Sequence, residues 1–457
     1  MFLKDNNSKW LLLAGYLVCV ILLALIHEPW LDELHAWVMA RDMSLSELWS
    51  AMKVEGHFCL WFWILMPFAK AGLGVYWLQI ISIAFMLVAA WIMVFKTDFS
   101  LIAKGAILLS FPVVYQFPAV SRCYALIPPI LFGIALCYRD LGKNKWLFAV
   151  LVGLLAHTHV YMEGMVLALF LVYIHDIILP KHQVKHLKTV DFVPLIVIVI
   201  FVLLAFVQVV RNPFSQVYYI LGDTHIANDV KGLVPTVSYI LKGYSILPNG
   251  LFDSGIKEIL AYSLAFIPML ILTFALLSSF DWKGRFIAIV SIGWQVLFSF
   301  LIYSFGQHRT YLPFFIFLSI FIMMEMKGMK INGMIVCLCV LASISGYSYQ
   351  VPKDISMTYS SFKPLAIELE TKIPTHEPIY LIDIGGECVS AYIDNPERVF
   401  IPTPLDSIKT DSFYAISNQQ EFDGYEVTYL YDGSDCFKDK FSLLKFQKVD
   451  FSTTAAE

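Results

Sequence analysis

The sequence predicts a polytopic α-helical membrane protein with a small α/β domain at its C-terminal end. Three observations support this fold class: 58% of the 457 residues are hydrophobic, only 15% are charged, and apolar runs of spanning length recur along the chain. Soluble proteins average about 45–50% apolar and about 25% charged residues. A soluble fold cannot hide this much apolar surface from water, so lipid must be the solvent for most of the chain.

Charge and cysteine content exclude several other classes of protein. The formal net charge of -4 gives no sign of a nucleic-acid partner. Eight cysteines are too scattered for a disulfide framework, and no Cys-x-x-Cys spacing indicates a zinc site. The same composition excludes a disordered chain, a coiled coil and a collagen-like fibre.

The apolar runs predict where the chain crosses the membrane. Run 10–26 follows two lysines and lacks a small-x-small cleavage site, so we expect an uncleaved span with its N-terminus inside. Segment 58–74 is interrupted by Pro67 and Lys70, which favours an interfacial or re-entrant segment. Further spans are expected at 75–95, 104–120, 122–138, 146–160, 162–180, 192–210, 258–280, 286–305, 309–326 and 331–349.

The short basic loops set the orientation of these spans. If 58–74 does not cross, every such loop lies inside, as the excess of Lys and Arg in cytoplasmic loops requires. This topology gives about eleven spans, with the N-terminus inside and the C-terminus outside. The loops concerned are 96–104, 139–145, 181–188, 283–285 and 327–330.

The same topology collects polar residues at the outer ends of the spans, where the second large outer loop, 211–257, also lies. The inner loops hold little besides solvated Lys and Arg, so any chemistry is expected outside the cytoplasm. The collected residues are Asp32, Glu33, Glu55, His57, Arg122, Tyr124, His157, His159, Glu163, Asp223, His225, His308 and Arg309.

The first outer loop, 28–74, is predicted to contain two amphipathic helices, 30–41 and 44–54, that lie in the membrane interface. A Ser-x-x-Glu capping box opens the second helix. Asp32 and Glu33 lie on the first helix, where they either solvate its polar face or form a carboxylate pair. In such a pair, one acid acts as a general base and the other orients it or raises its pKa.

The order of four motifs resembles the GT-C glycosyltransferases, which include the protein O-mannosyltransferases and the lipid A aminoarabinose transferases. The resemblance is clearest over 1–165, and it returns near 306–313 and in the outer segment 376–400. It implies a polyprenyl-phosphate sugar donor and an active site on the non-cytoplasmic face. The motifs are PWLDELHAW (29–37), EGHFCLWFW (55–63), SRCYAL (121–126) and GQHRTYLP (306–313).

The resemblance also implies roles for residues of the first outer loop. Asp32 and Glu33 match the acidic pair of the family, and Asp32 is implied as the base that deprotonates the acceptor. Glu55 and His57 match a later element of this loop, but its two prolines are replaced by 58–59, Phe-Cys. His57 and Glu55 are therefore implied only as acceptor-side or loop-organising residues.

A further match concerns the R-x-Y-A-L element. Arg122 and Tyr124 fit it, although the Asp that often follows in aminoarabinose transferases is absent. In that branch, a Glu of the first loop and a His of a later outer loop bind a metal. Glu55 and His225 occupy similar places, but two ligands do not make a zinc site, so no cofactor is expected to be required.

Sugar transfer from a lipid phosphate needs a base, cations for the leaving phosphate and a groove for the lipid. Arg122 and Arg309 are predicted to bind the donor phosphate, because guanidinium groups neutralise phosphate in a bidentate fork; the alternative is snorkelling at span ends. Tyr124 and His159 are secondary donors. Segment 157–164, HTHVYMEG, supplies His157 and Glu163 as organising residues, or it is a polar turn between two spans.

Residues 351–457 form a separate region, because their composition becomes polar. A helix at 361–372 and strands within 379–386, 398–402 and 426–432 predict a small extracytoplasmic α/β domain that shapes acceptor access. Cys388 and Cys436 would face an oxidising compartment and are candidates for a disulfide.

The resemblance implies an inverting transferase with a glycan, lipid or protein as acceptor, and we expect it in the plasma membrane of a bacterium. A lipid-linked glycan flippase or transporter is the alternative from another class. Transporters often show internal repeats and ionisable residues at the bilayer midplane, whereas here the charges gather at one face. A polymerase that joins lipid-linked repeat units shares this sidedness and stays open.

Overall fold

A computed structural model describes residues 2–55, 58–179, 189–209, 233–248, 251, 256–301, 306, 308–383, 385–395, 398–419 and 421–448. The chain is mostly helical and divides into two compact units. The helical unit comprises Met1–Ala24, Ser44–Ile64 and Gln79–Val351. The C-terminal unit comprises Leu25–Met43, Leu65–Leu78 and Pro352–Glu457, so it includes parts of the first predicted outer loop.

Helices account for most of the described chain. In chain order the α-helices are Phe2–Ile26, Leu31–Asp42, Leu45–Glu55, Cys59–Lys70, Trp77–Lys96, Leu101–Leu108, Ile127–Arg139, Leu141–Ala156, Glu163–Tyr173, Thr189–Val209, Leu233–Gly243, Ile256–Ala265, Ile267–Ser279, Trp282–Leu301, Leu312–Met323, Met329–Ser345, Val351–Ser356 and Phe362–Lys372.

Within the described residues, 7 helical stretches are long and apolar enough to cross a bilayer. Each overlaps a span predicted from the sequence, which makes the chain compatible with an integral membrane protein. Large apolar side chains on these stretches face outward: Leu11 is 75% exposed and Phe274 is 76% exposed. The stretches are Asn6–Ile26, Trp77–Lys96, Val160–Ile178, Asp191–Val209, Lys257–Ser279, Trp282–Leu301 and Met329–Ser356.

The other predicted spans are shorter or interrupted. Cys123–Arg139 and Arg309–Met323 are apolar helices below spanning length. The predicted span 104–120 is broken, because helix Leu101–Leu108 is followed by a π-turn, Pro112–Gln116, whose proline cannot donate a backbone hydrogen bond. Segment 58–74 contains the 12-residue helix Cys59–Lys70, which is also below spanning length.

Glycine allows helices of the helical unit to approach closely. A Cβ atom added at Gly164 would lie 2.3 Å from Cβ of Trp294, so helices Glu163–Tyr173 and Trp282–Leu301 meet at this position. The indole of Trp294 donates a hydrogen bond of 2.9 Å to the carbonyl of Val160. Small residues let helix backbones pack in this way without a hydrophobic driving force between them.

Both helices predicted in the first outer loop are present, as Leu31–Asp42 and Leu45–Glu55. The capping box is confirmed: Ser44 N–H donates to Glu47 Oε2 at 2.7 Å, and Glu47 N–H donates to Ser44 Oγ at 3.3 Å. These reciprocal bonds satisfy backbone donors that a helix start leaves without partners.

The C-terminal unit contains five strands: β1 (Ile379–Leu381), β2 (Phe400–Pro402), β3 (Ser412–Ser417), β4 (Tyr425–Tyr431) and β5 (Ser442–Lys448). They form a mixed sheet whose order is β2-β1-β3-β5-β4. Strand β1 is parallel to β2 and β3, whereas β5 is antiparallel to β3 and β4. Phe413 stacks on Phe446 at 4.8 Å in the core of the sheet.

The predicted helix and the three predicted strands of this region are confirmed, whereas β3 and β5 were not predicted. Both pair with a neighbour on each side. In β5, buried Leu444 and Phe446 alternate with exposed Lys445 and Gln447. A period-2 signal was therefore present in the sequence, but it is short and was overlooked.

Candidate functional site

A cluster in the helical unit is formed by residues at the starts of three helices. Arg122 precedes the 3-10 turn Cys123–Leu126, His159 precedes Val160–Met162, and Arg309 opens Arg309–Tyr311. Each turn leads directly into an α-helix. The backbone N–H groups of a helix start lack intrahelical partners and give this end a partial positive charge.

The centre of this arginine–tyrosine cluster is the hydroxyl of Tyr124. It accepts a hydrogen bond of 3.1 Å from Arg309 Nε and lies 3.1 Å from His159 Nε2. Because His159 Nδ1 accepts from the N–H of Tyr161, Nε2 is the protonated nitrogen and donates to Tyr124. The guanidinium carbon of Arg122 lies 5.6 Å from the centre of the Tyr124 ring.

The two arginines of the arginine–tyrosine cluster are buried, and a buried charge costs free energy unless it is compensated. Arg122 and Arg309 are only 9% and 7% exposed, and Arg309 also lies over the ring of Tyr161 at 5.6 Å. His308 stacks on Tyr124, with the ring centres 5.9 Å apart. Buried guanidinium groups beside helix N-termini suit an anionic group, and the guanidinium fork matches the geometry of both carboxylate and phosphate.

His157 does not belong to the arginine–tyrosine cluster. Its Nε2 donates to the carbonyl of Phe201 at 2.9 Å, and its Nδ1 accepts from the amide of Gln208 at 3.0 Å. The Gln208 oxygen in turn accepts from the N–H of Cys59. His157 therefore holds helix Thr189–Val209 in place. Glu163 begins the next helix, and among the described residues no hydrogen bond joins its carboxylate to the cluster.

Glu33 lies in the interior of the C-terminal unit, where it forms an ion pair. Its Oε2 is 2.9 Å from His27 Nε2, and His27 Nδ1 is 2.9 Å from Asp354 Oδ2, with all three side chains 0–1% exposed. Burial alone would lower the pKa of His27, but the charge of Glu33 and the hydrogen bonds of both carboxylates raise it to about 10. Glu33 therefore stabilises a buried imidazolium rather than facing solvent.

Asp32 is partly exposed, and the carboxylate that it influences is Asp439. Asp439 Oδ2 accepts from Leu31 N–H at 2.8 Å and from Ser360 Oγ at 3.0 Å. Burial and, to a lesser extent, the charge of Asp32 raise the pKa of Asp439 to about 6, against the effect of these hydrogen bonds and of Lys438. Asp439 is thus a carboxylate that the charge of Asp32 affects.

Several predicted residues lie outside the part of the chain that the structure describes. His57, Asp223 and His225 are in this group. The backbone of Glu55 ends helix Leu45–Glu55, but its side chain is not described. The predicted roles of Glu55 and His57, and the proposed metal pair Glu55 and His225, remain predictions.

Sequence reasoning missed His27, Asp354, Lys438 and Asp439. One signal was available, because His27 is a titratable residue directly after an apolar span, where a buried charge needs a partner. Its partner Asp354 is far away along the chain, so no local spacing links the two.

Comparison of the chain with protein-family models, curated proteins and solved structures finds no match.

Replacing His27 by Gln is expected to destabilise the C-terminal unit by about 3–5 kcal/mol, because two buried carboxylates lose their cation. Folding raises the pKa of His27 from 6.5 to about 10, so its contribution is fully present below pH 6.5 and is lost as pH rises through 10. Urea titration in detergent micelles measures the change. His376→Gln, with a side chain 80% exposed, is the control; equal stability of the two variants would contradict the assignment.

Asp439→Asn is expected to remove a pH dependence of stability. Because folding raises this pKa from 3.8 to about 6, the contribution of Asp439 is fully present below pH 3.8 and is lost as pH rises through 6. The amide oxygen of Asn still accepts from Leu31 and Ser360, so the variant should be more stable than wild type near pH 7 by about 2–3 kcal/mol. Urea titrations from pH 4 to pH 7 test this, with exposed Asp411→Asn as the control. Parallel curves for Asp439→Asn and wild type would argue against it.

Proposed function

We propose that the protein is an integral membrane glycosyltransferase. It moves a sugar from a polyprenyl-phosphate donor to a glycan, lipid or protein outside the cytoplasm. The observation that carries this proposal is the arginine–tyrosine cluster, in which Arg122, Arg309, Tyr124 and His159 meet at the starts of three helices. This arrangement suits the phosphate of the donor.

The membrane character of the chain supports a lipid-linked substrate. Apolar side chains such as Phe206, at 62% exposure, cover helices that are long enough to span a bilayer. A polyprenyl chain partitions into the same apolar phase, so its headgroup is delivered at the membrane edge. We further propose the GT-C fold with about eleven spans, counting the shorter and interrupted helices, and an extracytoplasmic active face in the plasma membrane of a bacterium.

The proposed reaction needs two kinds of residue: a base for the acceptor hydroxyl and cations for the leaving phosphate. Asp32 takes the proton of the acceptor hydroxyl, whose oxygen forms a bond to the anomeric carbon of the sugar. The bond from this carbon to the phosphate oxygen breaks, and the phosphate leaves with the electron pair. Arg122 and Arg309 neutralise its charge. Attack from the side opposite the leaving group inverts the anomeric configuration.

Asp32→Asn and Glu33→Gln should fail in different ways. We expect Asp32→Asn to lower transfer by about 100-fold or more in a chain that still folds, because Asn keeps the shape of the side chain but cannot act as the base. Glu33→Gln should unfold at lower urea, because His27 loses a carboxylate partner. Transfer is measured in proteoliposomes with a panel of radiolabelled polyprenyl-phosphate hexoses and pentoses and an envelope extract as acceptor.

Two results of this assay would contradict the proposal. Wild-type transfer rates in Asp32→Asn would remove Asp32 as the base. Movement of the labelled lipid between leaflets, without transfer to any acceptor, would favour a flippase instead.

Arg122→Gln and Arg309→Gln should each weaken binding of polyprenyl monophosphate by about 10–100-fold, the effect of losing a charge-assisted hydrogen bond. Tyr124→Phe should weaken it less, because the ring stays in place while the hydroxyl that orients Arg309 is lost. Binding is measured in lipid nanodiscs by titration. Arg285→Gln is the matched control, since Arg285 is exposed and lies at the start of another helix. Equal weakening in this control would show that the lipid recognises surface charge rather than the cluster.

A further inference from the structure

Three side chains with metal-binding atoms meet in the C-terminal unit, apart from the groups described above. His35 lies on helix Leu31–Asp42, and Glu387 and Cys388 lie on the 3-10 segment Gly386–Tyr392. One nitrogen of His35, one carboxylate oxygen of Glu387 and the sulfur of Cys388 all lie within 4.8 Å of one another. His35 Nδ1 is 3.5 Å from Glu387 Oε1.

The conformation of Gly385 positions Glu387 and Cys388 next to His35. Its φ of +100° is in the left-handed region, which turns the chain into the 3-10 segment. A Cβ atom here would lie 2.6 Å from Cδ1 of Leu31, so glycine also permits close packing on the helix that carries His35. The N–H of Gly385 donates to Glu387 Oε2 at 2.9 Å, which leaves Oε1 on the His35 side.

The three groups differ in their exposure to solvent, and this difference would let an ion enter and be held. Cys388 is buried, whereas the side chains of His35 and Glu387 are 32% and 36% exposed. An ion can therefore enter from the solvent side and keep one position open for water. Tetrahedral zinc places its ligand atoms about 3.3–3.8 Å apart, so the ligands need to approach by about 1 Å on binding.

We propose that His35, Glu387 and Cys388 bind a divalent transition-metal ion of the zinc type. The combination of imidazole nitrogen, carboxylate oxygen and thiolate sulfur is the ligand chemistry that zinc accepts, and it does not suit magnesium or calcium. A bound ion links helix Leu31–Asp42 to segment Gly386–Tyr392 and so fixes the helix that carries Asp32. This site shares no residue with the pair Glu55 and His225.

Cobalt substitution tests this site on the whole protein. The full chain in lipid nanodiscs is treated with a chelator and titrated with Co²⁺, which reports a thiolate ligand by a charge-transfer absorption in the near ultraviolet. We expect one Co²⁺ per chain with this absorption, and its loss on addition of Zn²⁺. Cys388→Ser should abolish the absorption, while Cys436→Ser, a second buried thiol of the same unit, should preserve it.

A second variant keeps the test independent of the buried cysteine. His35→Gln replaces a partly exposed side chain, and we expect it to weaken Zn²⁺ affinity by about 100-fold or more while leaving unfolding without metal unchanged. The site is overturned if wild type gives no thiolate absorption with Co²⁺. It is equally overturned if His35→Gln and Cys388→Ser both bind Zn²⁺ as wild type does.

Discussion

The C-terminal unit depends on the buried ion pairs that His27 forms with Glu33 and Asp354. Taking one imidazolium and two carboxylates out of water costs several kcal/mol per ion, and only short hydrogen bonds with good geometry offset this. Both ring nitrogens of His27 make such bonds, to Glu33 and to Asp354. The pair of bonds ties the chain just after helix Phe2–Ile26 to the chain just after Val351, two segments that are far apart in sequence.

Helix Leu31–Asp42, which the Glu33–His27 ion pair holds, carries several titratable groups that face in different directions. Successive residues of an α-helix are rotated by about 100°, so neighbours in sequence face different surroundings. On Leu31–Asp42, Glu33 faces His27, Asp32 influences Asp439, and His35 faces Glu387. The helical rotation explains why two adjacent acids have different roles, one in a buried ion pair and one near solvent.

Local features of the sequence predicted much of this fold, because short-range physics specifies them. Hydrophobic length predicted the seven membrane-length stretches, and the Ser44–Glu47 spacing predicted a helix start. Contacts between distant residues could not be predicted in this way, since no spacing relates His27 to Asp354. The predicted alternation of span direction grouped Arg122, His159 and Arg309 at one face, but it could not show that the hydroxyl of Tyr124 bonds to His159 and Arg309.

The charged groups divide between the two units, and this division has a chemical consequence. The cluster in the helical unit is cationic, whereas the coupled groups of the C-terminal unit are mainly carboxylates. An arginine beside an aspartate lowers the pKa of the acid and makes it a weaker base. A transferase needs a cation for the leaving phosphate and a base for the acceptor. In the reaction proposed above, Arg122 and Arg309 meet the first requirement, and Asp32, which belongs to the group of carboxylates, meets the second.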